Sequence, residues 1–408
     1  MGGLFDRVGL GDIFLGFRTT FGQSEATSMA TGQWDSLPAD ILLEIFSYLG
    51  PGEKVRASTV CKNWRNAFHY PEFWREFHFV IKDAAKEHWH QPCLENHGGH
   101  FRHVVISVDQ SSTENRNMAL QIFHGFANLE RGKLESLTVK FTGENPLFYS
   151  GAEFIEGLFT MFGFAHRTLE FSPFSLRTVD LSELLISYTD ELLEQLAICH
   201  PKLENLNITS HIYCYRVSHV GLLNFVRKCR NLKSLKIFHC TFSDDVLREL
   251  ASDNRLPLKT LTIVSNREDR YGEYDNMTTE RVWQELRPKF TDLQMNLIFE
   301  PECFVEKIEN ILKRGMPVSY LSMENPASCF RPLNKSAAFF KNTLDTVILK
   351  MPFTPALGRA LKFLGQRALR LTSLQVSCEL PPEVIEEVYQ LQPQLKDCNK
   401  TILKPQQE

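Results

Sequence analysis

Residues 87–103 read EHWHQPCLENHGGHFRH, and His88, His90, Cys93, His97, His100 and His103 crowd into that stretch. Neutral imidazole and thiolate are good zinc ligands, and four of them converging around a loop would make a tetrahedral site. The spacing matches no standard finger, and the ten cysteines of the chain include no C-x-x-C pair. The expectation is a solvated His-rich linker over residues 81–100 with no bound metal, a converged site being the alternative. Cys199, Cys229 and Cys240 recur near leucine-rich segments and read as small buried fillers.

Other reaction chemistries find no foothold. There is no G-x-S-x-G elbow, no Walker loop and no H-E-x-x-H pair. GLGDIF (9–14) starts like a glycine-rich loop but lacks the third glycine. A non-catalytic chain without a cofactor is expected. A formal charge of −4 and a pI near 6.4 speak against general nucleic-acid binding. No apolar run approaches the roughly 20 residues a membrane span needs. With no secretory signal legible, the thiols should be reduced and the sequons at Asn207, Asn276 and Asn334 chance matches. This places the chain in the cytoplasm, with the nucleus as the alternative. Residues 1–33 carry scattered apolar residues and read as a flexible extension, with Met29 as an alternative start.

The strongest local signal is WDSLPADILLEIFSYLG (34–50). Pro38 suits a first helical turn, and Asp35 or Ser36 can cap it. Ile41, Leu42, Ile45, Phe46 and Leu49 then fall at offsets 0, 1, 4, 5 and 8, one broad apolar face on a helix. Gly50-Pro51 stops it. A second short helix follows from about Glu53, and a third runs through VCKNWRNAF with Val60, Trp64 and Phe68 at helical spacing. Trp74 closes the unit. Periodicity alone leaves open which side chains face outward, and whether the face docks on this chain or on another protein.

Beyond residue 100 a pattern L-x-x-L-x-L recurs: LESLTV (134–139), LRTVDL (176–181), LENLNI (203–208), LKSLKI (232–237), LKTLTI (258–263), LDTVIL (344–349) and LTSLQV (371–376). Weaker copies stand at 101–106, 293–299 and 318–323. Val179, Leu206, Leu235 and Leu261 are separated by steps of 27, 29 and 26 residues, the period of leucine-rich repeats. Alternation within each copy predicts a short strand with apolar side chains on one face. DELLEQLAICH, VGLLNFVRKC and DDVLREL supply helices between strands. Such units must stack to bury those faces. GENPLFYSGAEFIEGL and SNREDRYGEYDN lengthen two repeats and predict loops on one face.

The order Leu-Pro, ILLEIFSYL, VCKNW and FW resembles the F-box, and the repeats complete a resemblance to the F-box/leucine-rich-repeat family over roughly residues 34–400. GENPLFYSG, VWQELRPKF and LIFEP add to it. The resemblance implies an α/β chain: a small all-α F-box of three helices at 34–80, then a curved leucine-rich-repeat solenoid at 101–400 and a tail at 401–408. It further implies that Leu37, Pro38, Ile41, Leu42, Ile45, Phe46 and Leu49 meet a Skp-type adaptor, with Val60, Cys61 and Trp64 completing or bracing that interface. The adaptor would connect the chain to a cullin-RING ubiquitin ligase of the SCF type, the repeats holding a protein substrate for ubiquitination and proteasomal degradation. A scaffold without ligase activity is the alternative. In a curved array the outward strand positions line the concave face. Those positions include Thr209, Phe238, Val264, Tyr320, Ser322, Glu324, Ile348 and Lys350, the expected substrate surface.

Overall fold

In the computed structural model the described residues are 34–87, 89–146, 149–164, 173–210, 217–266, 278–301, 303–324 and 329–405. The chain divides into two compact units, 1–73 and 74–408. The expected extension, residues 1–33, lies outside the described residues.

The first unit holds three helices, α1 (Ala39–Ser47), α2 (Pro51–Ala57) and α3 (Lys62–Phe68), with α1 and α2 both packed on α3. Pro38 sits just outside α1, at φ −55° and ψ 151°, and its carbonyl accepts the Leu42 N–H at 3.1 Å. The N-cap position is Pro38 itself, which has no side-chain oxygen to cap the helix, and proline geometry sets its start. At α2 the Gly50 N–H donates to the Glu53 carboxylate at 2.8 Å, satisfying one of the free donors at a helix start.

The second unit is one sheet of twelve parallel strands in chain order. Its elements are β1 (Glu76–Ile81), α4 (His90–His97), β2 (His103–Val108), α5 (Thr113–Ala127), β3 (Ser136–Phe141), α6 (Ala152–Phe159), β4 (Thr178–Asp180), α7 (Asp190–Cys199), β5 (Asn205–Asn207), α8 (His219–Lys228), β6 (Ser234–Phe238) and α9 (Asp244–Leu250). They continue through β7 (Thr260–Ser265), α10 (Glu280–Leu286), β8 (Gln294–Phe299), α11 (Val305–Ile311), β9 (Val318–Glu324), α12 (Phe330–Phe339), β10 (Thr346–Lys350), α13 (Pro355–Arg367), β11 (Ser373–Leu380), α14 (Pro382–Leu391) and β12 (Ile402–Pro405). This is a leucine-rich-repeat solenoid. No helix among the described residues is long and apolar enough to cross a membrane.

The sequence period becomes spatial register. Leu137 pairs with Val179, then Leu206, Leu235 and Leu261, each the central residue of its repeat. After Leu261 the row passes through Met295 to Val318, where the register shifts; Leu321, Val347 and Leu374 form a second row that joins Leu297 and Ile263, and all of these side chains are buried. Three boundaries differ from the sequence expectation. Glu76–Ile81 already forms a strand paired with β2, because Phe77, Phe79 and Ile81 alternate inward. The first repeat therefore starts well before residue 101. The supposed linker 81–100 contains α4, that repeat's helix. The tail 401–408 contains β12, which pairs with β11.

Side chains also tie the repeats together. The Asp190 carboxylate accepts the Ser218 N–H at 2.7 Å and its hydroxyl at 2.6 Å, joining the starts of α7 and α8. Asp244 holds Thr279 in the same way, at 2.8 Å for each bond. A methyl at Gly221 would lie 2.0 Å from Asp190 Oδ1, so this close approach requires glycine. Across the strand starts, Glu204 is shared by Arg177 at 2.6 Å and Lys233 at 2.5 Å. Lys233 is the main reason its carboxyl lies below the usual range.

His200 is a buried exception in the core. Its Nδ1 accepts the Leu176 N–H at 3.3 Å, and its ring stacks on Phe174 with centroids 5.7 Å apart. Burial lowers its pKa to about 3. The folded protein thus holds it neutral while the unfolded chain protonates it near 6.5, so stability falls as pH drops through that interval. Urea titrations at pH 7 and pH 5 should show a loss of about 2 kcal/mol from this group. In His200→Gln that part of the pH dependence should vanish, even though the variant starts less stable.

Candidate functional site

In the first unit the apolar face of α1 splits into two rows. Leu42 and Phe46 are fully buried. Phe46 stacks on Phe73 with ring centroids 5.5 Å apart and meets the Trp64 ring edge-to-face at 5.8 Å. These side chains belong to the unit's own core, which corrects the expectation that Leu42 and Phe46 contact a partner. The physical reason is size: three short helices have few large side chains to bury.

The second row faces out. Ile41 is 46% exposed and Tyr48 79%, with half-buried Ile45 between them at offset 4. Trp34 at 43% and Val60 at 42% extend the apolar surface, and Pro38 is exposed. Leu37, Leu49, Cys61 and Trp64 are half-buried. Trp64 acts as a brace: its Nε1 donates to the Trp34 carbonyl at 3.0 Å. Asn63 Nδ2 likewise donates to the Leu37 carbonyl at 2.8 Å. Both bonds pin the Leu-Pro segment to α3. Sequence reasoning missed Asn63, Trp34 and Tyr48. Tyr48 could have been found, since it follows Ile41 and Ile45 at helical spacing; Asn63 carried no periodic signal.

The outward strand positions form a second surface. Phe238, Val264, Ile298, Ser322 and Ile348 stand side by side along successive strands. Phe238 and Val264 are only 2% exposed. At the ends of β6 and β7 the in–out alternation lapses, so both faces of the sheet are covered there. Neither residue offers a free contact surface, against the sequence expectation. Thr209 is also buried; it lies beyond β5 and its hydroxyl donates to Asn207 Oδ1 at 2.9 Å. Tyr320, Ser322, Glu324 and Ile348 remain half-buried and Lys350 exposed. Lys350 and Glu324 are partners at 2.9 Å. Ile298, half-buried in the same row, was overlooked because its repeat is a weak copy.

The histidine cluster does not converge. His88 lies outside the described residues. His90 is buried, and its Nε2 donates to the Val80 carbonyl at 3.0 Å. His97 stacks flat on Trp74 with centroids 3.6 Å apart, and Trp74 packs with Phe77 in the second unit rather than closing the first. Burial pushes the Cys93 thiol up to about 12, far from a ready thiolate ligand. His103 is exposed at the start of β2. Among the described residues no three His, Cys, Asp or Glu side chains gather as metal ligands. Of the repeat cysteines, Cys229 is buried, while Cys199 and Cys240 are half-buried.

A three-helix unit with this Leu-Pro entry, followed in the chain by a leucine-rich-repeat solenoid, is the arrangement of F-box/leucine-rich-repeat proteins, and the comparisons support that type for this chain. The F-box-like family model matches residues 34–80. Residues 74–80 of that match fall in the second unit. F-box/LRR-repeat protein 8 of Homo sapiens is 23% identical over 354 residues, covering 86% of this chain and 91% of that protein. F-box/LRR-repeat protein 21 of Mus musculus is 25% identical over 317 residues, 75% of this chain and 68% of its own length. F-box only protein 33 of Homo sapiens is 22% identical over 349 residues, covering 72% and 60% respectively.

The two rows of α1 separate side chains that hold the fold from side chains left at the surface. Phe46→Ala should destabilise the first unit by about 3–5 kcal/mol, the cost of emptying a buried aromatic site. Ile41→Ala should change stability by less than about 1 kcal/mol. Hydrogen exchange of residues 34–73 measures both; equal protection losses would contradict this division.

Proposed function

We propose that this chain is the substrate-recognition subunit of an SCF-type ubiquitin ligase. The observation that carries this reading is the outward apolar row Ile41, Ile45 and Tyr48, flanked by Trp34, Pro38 and Val60 on an F-box unit. Large apolar and aromatic side chains left at a surface patch are the usual anchors of a protein interface. Leu37, Leu49 and Cys61 border the row, and the Skp-type adaptor is the occupant it suits. Leu42, Phe46 and Trp64 act from behind by holding the helix in place.

In this reading the repeats select a protein substrate, with Tyr320, Ser322, Ile348 and Ile298 as the contact row and Glu324 and Lys350 at its border. No residue of the chain reacts. Holding substrate beside the ligase converts a rare encounter into a nearly unimolecular transfer. The transfer marks the substrate for proteasomal degradation, and the cytoplasm is its site of action.

Co-purification with a Skp-type adaptor tests the first half. Ile41→Asp combined with Tyr48→Asp should weaken adaptor association by at least about tenfold, because charges would enter a dry apolar contact. An undiminished complex sinks the assignment. Cullin recovered in the same pull-down supports the ligase; adaptor without cullin favours a scaffold instead.

Tyr320→Ala with Ile348→Ala should reduce proximity labelling of substrates under proteasome inhibition while leaving adaptor binding intact. A labelled set unchanged by both substitutions overturns the placement of the substrate row.

A further inference from the structure

Neighbouring helices of the solenoid are linked by ion pairs at many junctions. Arg116 of α5 meets Glu153 of α6 at 3.4 Å, Lys228 of α8 meets Glu194 of α7 at 3.3 Å, and Arg227 of α8 meets Glu249 of α9 at 3.6 Å. Arg248 of α9 meets Glu285 of α10 at 3.6 Å, and Lys362 of α13 pairs with Glu387 of α14. Exposed pairs of this kind contribute little energy each. Their regularity nevertheless shows how the helix surface balances its charge.

The junction of α12 with α13 is among those that carry no such pair among the described residues. Residues 331–370 contain eight Lys and Arg against a single carboxylate, Asp345. Asp345 stands next to β10 and accepts from the Thr372 hydroxyl at 2.6 Å. Neither α12 nor α13 contains Asp or Glu. Lys350 and Lys362 pair with Glu324 and Glu387 outside this stretch, whereas Lys335 Nζ donates to the Glu309 carbonyl at 2.5 Å and lies 5.4 Å from the Phe339 ring. Arg367 lies 5.4 Å from the Phe363 ring. Arg331, Arg359 and Arg370 are exposed, without an ion pair among the described residues. Leu369, adjacent to Arg370 just beyond the end of α13, is 67% exposed, while its N–H is fixed to the Lys341 carbonyl at 2.9 Å.

We propose that the α12–α13 face docks an acidic polypeptide segment bearing an apolar side chain. Its carboxylates meet Arg331, Arg359 and Arg370, and its apolar group covers Leu369. Charge complementarity selects the occupant. A nucleic acid fits less well, since the chain as a whole carries −4 and repels a long polyanion beyond the patch. One exposed leucine gives a lipid surface little to hold. This surface is separate from the adaptor and substrate rows and does not depend on the ligase reading.

The test uses the full chain and a fluorescein-labelled Glu-rich peptide with one central leucine. Saturable binding is expected, weakening as salt rises. Replacing that leucine by serine should weaken it as well. Arg359→Glu with Arg370→Glu should lower affinity at least about tenfold, and Arg331→Gln with Arg359→Gln should give a smaller loss. Thermal midpoints should stay level or rise, since like charges are relieved. Three results overturn the proposal: no saturable binding, equal affinity in the charge-reversed chain, or tighter binding to poly(U) RNA or phosphatidylserine vesicles than to the peptide.

Discussion

Parallel pairing in register is the constraint on which the second unit depends. A strand of three to eight residues cannot bury its apolar side chains alone, and its N–H and C=O groups need partners on both sides. Stacking meets both demands at once, but only if the central leucines align. A slip of one residue would turn the Leu206 or Leu235 side chain outward and a polar neighbour inward. The Asp190–Ser218 and Asp244–Thr279 ties hold the helix starts to the same spacing, and Glu204 does so across the strand starts. The outward rows inherit their side-by-side order from this pairing.

The first unit solves a harder problem with fewer residues. Leu42 and Phe46 supply its interior, with Phe73 and Trp64 around them, while Ile41 and Tyr48 are left in water and Ile45 is half-buried. A helix with apolar residues on adjacent faces commits one to its own unit's interior and leaves the other at the surface. Separating the two faces required knowing where α3 packs, and the local pattern does not contain that.

Much of the fold was legible because its main signals are periodic. The repeat centres from Val179 to Leu261 and from Leu321 to Leu374 coincide with paired strand positions. The failures have physical causes. Phe77, Phe79 and Ile81 alternate as clearly as any repeat, but without leucines they read as the end of the helical unit. The histidines at 90 and 97 read as part of a solvated linker, whereas stacking and burial give them roles in packing. Phe238 and Val264 obey the outward alternation in sequence, yet the sheet is covered on both faces at their strand ends. Asn63 was invisible, since one hydrogen bond to a carbonyl 26 residues away leaves no pattern.

The bond from Asn63 to the Leu37 carbonyl has a kinetic consequence. An entry segment already fixed to α3 loses little conformational entropy when something closes over it. A partner closing over this face would therefore dock rigidly, its speed set by diffusion and orientation rather than by waiting for the Leu-Pro segment to order. Cutting that one bond would leave the contact residues unchanged and still slow the encounter.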